Sequence, residues 1–205
     1  EVSNLMTCKI NADTSDGLKI VSDTSGAVEI QTNGTTVATI NSNGTVVIPT
    51  ITNGTAVATT SGTAVDFTSI PSGVKKITVL FNQVKTSAAG LRMLQIGTSS
   101  GLVTSGYISA AGYTGSGARD GTTSTAGFIM GDGGATADKT VGSAVIQTIG
   151  SNTWCMSSVT SDGVAEYVKM GGGSITLGGV LDRIRLTNVG GQTFDHGSVN
   201  IAWEY

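Results

Sequence analysis

The sequence predicts an all-β protein in two parts, a short N-terminal β-stalk and a β-sandwich head with a jelly roll as its leading topology. Three observations carry that prediction. Between residues 16 and 62, short β-branched runs alternate with turn pairs whose glycines recur every 8–10 residues. Beyond residue 63 the apolar runs lengthen and alternate with polar residues, as strands with one buried face do. Composition agrees: 30 glycines, 2 prolines, 5% aromatic and 12% charged residues suit many turns between pleated, half-buried strands. A chain of 205 residues is long enough for one good core, or for one core and an appendage.

Residues 1–16 precede the repeat. Val2, Leu5, Met6 and Ile10 give this stretch apolar character without helical or strand spacing. It reads as an anchoring arm, with a frayed terminus as the alternative. Residues 17–62 are the stalk. Their turns are Asp16-Gly17, Ser25-Gly26, Asn33-Gly34, Asn43-Gly44, Asn53-Gly54 and Ser61-Gly62; Asn-Gly and Asp-Gly supply the positive φ of tight hairpins. Between them lie the apolar positions Leu18, Ile20, Val28, Ile30, Val37, Ile40, Val46 and Ile48. Pro49 follows a strand end, where no amide hydrogen is needed. Each run is too short to bury its apolar side alone, since an isolated hairpin is marginal in water. We therefore expect these strands to intertwine with those of sister chains in a trimer. A β-meander inside one globular domain is the other reading.

Residues 63–205 form the expected head. Ile70-Pro71-Ser72-Gly73 is a turn signal. In residues 74–84, Ile77, Val79 and Phe81 share one face, while Lys76, Thr78, Leu80 and Asn82 share the other. Residues 91–96 form the next strand, with Arg92, Leu94 and Ile96 on one side. Residues 97–127 are rich in Gly, Ser and Thr and read as one or two short strands with long loops. Short strands are expected at 128–130, 144–149, 154–160, 165–170 and 174–177, with Asp162-Gly163 as a turn. The final pair is the clearest: Ile184 and Leu186 oppose Arg183 and Arg185, and Val199, Ile201 and Trp203 oppose Asn200, Ala202 and Glu204. The total is roughly eight to ten strands and no helix, which suits a two-sheet sandwich.

The formal net charge is −3, and no basic cluster exceeds Lys75-Lys76, so the stripe a nucleic-acid partner requires is missing. No window is apolar for long enough to span a membrane, and no signal-peptide pattern is visible. Cys8 and Cys155 read as free thiols, with a bridge left open. The single histidine, His196, sits in Phe194-Asp195-His196-Gly197 at a strand start. Serines are so abundant that one nearby would not define a catalytic triad. Asp120, Asp132 and Asp138 do not match a calcium loop. The clusters 131–134 and 171–173 lack the Lys-Ser/Thr partner of a phosphate cradle. Glu166 and Glu204 lack a second carboxylate for glycosidase chemistry. We therefore assign no catalytic residue, no metal and no cofactor, and expect a protein that is not an enzyme. Tyr107, Tyr113, Arg119 and Trp154 are the candidates for ligand or partner contacts, because aromatic residues in Ser/Gly-rich surroundings stack on sugars and protein neighbours; packing between subunits or over the sandwich is the alternative. Lys75, Arg183 and Arg185 read as ion-pair partners across a subunit boundary, or as plain surface charges.

The runs DFTSIPSGVKKITVLFNQV, LQIGTSSGLVTSGY and GGVLDRIRLTNVGGQTFDHGSVNIAWEY, with the NGTTVATINSNGTVVI stalk, resemble a family of tailed-bacteriophage virion proteins of aquatic and cyanobacterial phages, described as tail-fibre-like or structural. The resemblance covers roughly residues 17–205 and rests on fold-level motifs, which say little about chemistry. It implies a homotrimer with a β-rich stem and a sandwich head, assembled in the host cytoplasm and displayed on the virion surface. The implied partners are sister chains and either the major capsid protein or a tail or baseplate protein, with a host surface glycan for a receptor-binding member. A capsid-decorating or cementing role leads, because a stem of about 45 residues at ~3.3 Å per strand residue reaches little; a tail fibre is the close rival. A glycan hydrolase and a secreted adhesin or carbohydrate-binding module rank lower.

Overall fold

The structure, a computed structural model, describes residues 26–48, 51–115, 118–131, 139–163 and 167–205. Among them all regular structure is antiparallel strand, and there is no helix. The contacts divide the chain into two units, residues 1–50 and 51–205.

The first unit contains a three-stranded sheet ordered β1-β2-β3, with β1 Val28–Thr32, β2 Thr35–Ile40 and β3 Val46–Val47. Asn33 (φ 50°) and Gly34 (φ 75°) close the first hairpin, the two successive left-handed residues of a type I′ turn that matches strand twist. In the second turn, the Gly44 amide donates to the Asn41 carbonyl (2.8 Å) and the Thr45 amide to Asn43 Oδ1 (3.0 Å). Register pairs Val28 with Ile40, Ile30 with Ala38 and Ile40 with Val46. Alternation thus puts Val28, Ile30, Ile40 and Val46 on one face and Val37 on the other. That apolar face has little cover: Ile30 is 55% exposed, Val46 58% and Ile48 59%. Leu18 and Ile20, like the arm positions Val2, Leu5, Met6 and Ile10, lie outside the described residues.

In the second unit the strands are β4 Ile51–Asn53, β5 Val57–Ala58, β6 Val65–Phe67, β7 Lys76–Thr86, β8 Leu91–Thr98, β9 Gly101–Leu102, β10 Ile108–Gly115, β11 Ala118–Ser124, β12 Phe128–Ile129, β13 Thr140–Gly150, β14 Thr153–Asp162, β15 Val168–Thr176, β16 Arg183–Val189 and β17 Phe194–Glu204. Nine form one sheet, β11-β10-β15-β14-β13-β7-β17-β4, with β5 also on β17; five form a second, β12-β8-β16-β6, with β9 also on β8. One buried cluster lies between them. The large sheet contributes Ile77, Val79, Phe81, Ile146, Met156, Val199 and Ile201, and the small one Phe67, Leu94, Ile96, Phe128, Ile184 and Leu186. The fold is therefore sandwich-like, and the expected faces of β7, β16 and β17 are the observed ones.

Four features differ from the sequence reading. Residues 51–58, expected in the stalk, belong to the second unit: Ile51, Thr52 and Asn53 pair with Glu204, Trp203 and Ala202 of β17. Asn53-Gly54 is accordingly no hairpin turn; Gly54 lacks a positive φ and its amide donates to the Ile201 carbonyl (2.7 Å). Residues 108–124 are a long hairpin, β10–β11, where one or two short strands with long loops were expected, because small side chains leave the backbone free to pair. The 171–173 glycines continue β15 instead of breaking it. A Cβ on Gly173 would meet the Ile108 carbonyl oxygen at 2.5 Å and the Phe128 ring at 3.0 Å, so glycine there admits the second sheet.

Candidate functional site

The strands of the second unit run between two clusters of connections. At one end Ile51 pairs with Glu204, Glu204 with Lys76 and Lys76 with Gln147. At the other, Thr86 pairs with Phe194, Thr140 with Asp162 and Val168 with both Ser161 and Thr114. Each predicted contact residue can be placed on this frame.

Tyr107 is a core residue. It is 1% exposed, and its ring meets Phe128 edge-on at 4.9 Å. Its hydroxyl accepts from the Ile96 amide (2.8 Å) and faces the carbonyls of Val103 (3.1 Å) and Ile96 (3.2 Å). Burial pushes the phenol up to about 12, opposed by the hydrogen bond with Ile96. Trp154 is also a core residue, 4% exposed; in β14 it shares the inward face with Met156 and Ser158. The expected surface role fails for both, because each side chain points to where the second sheet covers the first.

Tyr113 lies at the end away from Ile51. Its ring meets Tyr167 at 5.3 Å and 84°, and both are half-buried. Arg119 stands in β11 opposite Thr114, and Asp120 stands opposite Tyr113; Asp120 Oδ1 accepts from the Gly121 amide (2.7 Å). Of the four predicted contact residues, the fold brings only Tyr113 and Arg119 to one place. Tyr167 completes that place. Sequence reasoning missed it because it is far from Tyr113 in the chain, and only the β10·β15 pairing beside it brings the two rings together.

The end nearer Ile51 carries two clefts. One, of about 370 Å³, is lined by residues from 71–75, 148–154 and 180–181, among them Lys75, Ser151, Asn152 and Trp154. The other, of about 450 Å³, lies between β4, β6 and β17 and includes Asp66 and Trp203. Arg185 clamps Asp66 through Nε–Oδ1 (2.6 Å) and Nη2–Oδ2 (2.7 Å). Those bonds hold the Asp66 carboxyl below its ordinary value, against partial burial, and hold the guanidinium's proton more tightly. Arg183 donates to Asp182 Oδ2 (2.8 Å) and the Ser99 carbonyl (3.1 Å). Both arginines thus have carboxylate partners within the chain.

The His196 ring approaches Gln83 Oε1 at 3.4 Å, with no nucleophile in the contact. Among the described residues no three His, Cys, Asp or Glu side chains gather; Asp132, Asp138 and Glu166 lie outside them. Cys155 is a half-buried free thiol, and Cys8 lies outside the described residues. No protein-family model, curated protein or solved structure matches the chain.

Proposed function

We propose that this chain is a non-enzymatic, homotrimeric surface protein of a tailed-phage virion, decorating or cementing the capsid through residues 1–16 and the stalk. The observation that carries the trimer is the uncovered apolar face of β1–β3, with Ile30 and Val46 more than half exposed in one chain. Three copies winding together would remove that face from water, at roughly 1.5–3 kcal/mol per fully buried side chain. The virion setting rests on the resemblance of the quoted runs. Three seated arms reinforce one another, since joined binding events raise avidity by about 10²–10⁴ without new contacts. We read the head as a jelly-roll variant. The nested pairs β7·β17, β8·β16 and β10·β15 support this, with the β13–β14 hairpin inserted between β7 and β15.

The Tyr113–Tyr167 pair favours a second reading, a tail fibre or receptor-binding protein that contacts host polysaccharide. Quantitative mass spectrometry of purified particles separates the two. Hundreds of copies per virion, with loss of capsid stability on stripping, support decoration. Tens or fewer, with loss of adsorption alone, support the fibre. Absence from the particle overturns both.

A further inference from the structure

We propose that the outer face of the large sheet, over β13, β14, β15 and β10, is where the heads of sister chains pack, a ridge on one head seated in a hollow on the next. This inference rests on the trimer reading and deepens it by naming a contact surface. Inward residues of these strands, such as Ala111, Ala144, Ile146 and Met156, are buried; the alternate residues face away from the second sheet. None of those outward residues is charged or aromatic. The only charged residues of the four strands, Asp162 and Lys169, are buried on the inner face.

A sheet face left to water ordinarily carries polar and charged side chains. This one carries Ile108, Val159 and Met170, which are 76%, 61% and 49% exposed, with the exposed Leu80 beside them on β7. Apolar surface gathered in this way marks a place where another protein sits. The composition also selects the occupant. A charged partner would find no ion pair on these strands, and a sugar ring would find no aromatic platform. A second copy brings the same uncharged surface, and charge is what the core of an interface lacks.

Shape points the same way. Cross-strand register sets Leu80, Ser143, Val159, Met170, Gly112 and Gly121 in one row. The row falls from bulky side chains on β7, β14 and β15 to none on β10 and β11. In the next row Gly172 pairs with Ala110. An open hollow of about 700 Å³ lies over Ala110, Gly112, Gly121 and Gly172, with Met170 at its side. A ridge and a hollow on one face let each head meet two neighbours, and such head-to-tail contacts close into a ring. Four strands of 8 to 11 residues, about 4.8 Å apart with ~3.3 Å per residue, present roughly 600 Å². That is below the ~800 Å² per partner of a standard interface, so heads on their own separate at micromolar concentration. Heads joined through the stalk meet at an effective concentration of about millimolar, where a weak contact is filled.

Met170 is the reporter, because it is the one exposed methionine among the described residues; Met93, Met130 and Met156 are buried. The test is oxidation of the full-length protein by hydrogen peroxide, with sulfoxide at each methionine followed by peptide mass spectrometry and the assembly state by sedimentation. We expect Met170 to oxidise at least tenfold more slowly in the wild-type trimer than in the Ile30→Glu/Val46→Glu chain, whose stalk cannot assemble, with Met93 slow in both. Leu80→Glu and Ser143→Lys, two and three strands from Met170, should each leave the stalk trimer and the head's melting unchanged while returning Met170 to the fast rate. Equal rates in the wild-type trimer and the stalk variant overturn the proposal and leave the trimer standing. Protection that survives both Leu80→Glu and Ser143→Lys overturns it as well. Met170 open in the free trimer but protected on purified particles gives the face to a particle protein and overturns the sister-head contact. A monomeric wild type removes the trimer reading, and this inference falls with it.

Discussion

Tyr107 shows how a single buried hydroxyl ties two strands' connections together. Its oxygen is the partner of the Ile96 amide, so Tyr107→Phe strands a buried N–H and should cost about 1–3 kcal/mol, read as a lower urea midpoint at unchanged slope. The same group sets an alkaline limit. Its folded pKa, about 12, lies above the ordinary 10.0, so the folded state holds the proton more tightly. The stabilisation is complete below pH 10 and is lost as pH rises from 10 to 12, by up to about 2–3 kcal/mol; the Tyr107→Phe protein should lack this component of the pH profile. Asp66 behaves oppositely. Its carboxyl is depressed by Arg185, so its contribution is present above the ordinary 3.8 and fades as pH falls through the lower folded value. Because the pair is partly exposed, Asp66→Asn at pH 7 should cost no more than about 1 kcal/mol. Legibility at this scale was uneven. Trp154 and Met156, two residues apart, already carried the alternation of an inward face, and weighing that spacing above the aromatic type would have placed Trp154 in the core. Tyr107 had no such signal, since it precedes its strand and its ring packs on Phe128, which lies well along the chain.

Turn chemistry explains which elements could be read from the chain. Asn33-Gly34 forms the hairpin its residues favour, while Asn53-Gly54, the same dipeptide, is drawn into pairing along β17. A local preference of a few tenths to one kcal/mol yields to an available sheet edge. Conversely, the β13–β14 hairpin turns on Ser151-Asn152, both at positive φ and directly after Gly150, itself at φ 107°. An L-residue there costs roughly 1–2 kcal/mol, so Asn152→Gly should stabilise the protein by about 0.5–1 kcal/mol and raise its melting temperature by a few degrees. Strand faces were legible wherever alternation ran long, as in β7 and β17. The β10, β11 and β15 group was not, because Ala, Gly, Ser and Thr carry little hydrophobic contrast and pair through the backbone alone. That same smallness is a packing requirement at Gly173, where Phe128 and the Ile108 carbonyl occupy the space of a side chain. Gly173→Ala should therefore destabilise by about 1–3 kcal/mol, although alanine is normally the better-tolerated residue.

At the scale of the whole molecule the two units differ in how they meet water. Residues 51–205 enclose their own core, with Ile77, Leu94, Ile146, Ile184 and Leu186 fully buried. The sheet in residues 28–47 instead leaves its apolar face open. A chain beginning at Ile51 should therefore keep its β-sheet signal and cooperative melting while sedimenting as a monomer. The full chain should sediment as a trimer whose first unit melts at a temperature that rises with concentration, because association is linked to folding by mass action. Ile30→Glu with Val46→Glu sharpens the test. Those positions are exposed in one chain, so charge there is harmless to a monomer. In a trimer the same change sets six carboxylates against one another in a seam from which water is excluded. The doubly substituted protein should dissociate with the head's melting temperature unchanged. If wild type and variant both run as folded monomers at micromolar concentration, then β1–β3 is stable with its apolar face in water, and the shared-stalk reading falls.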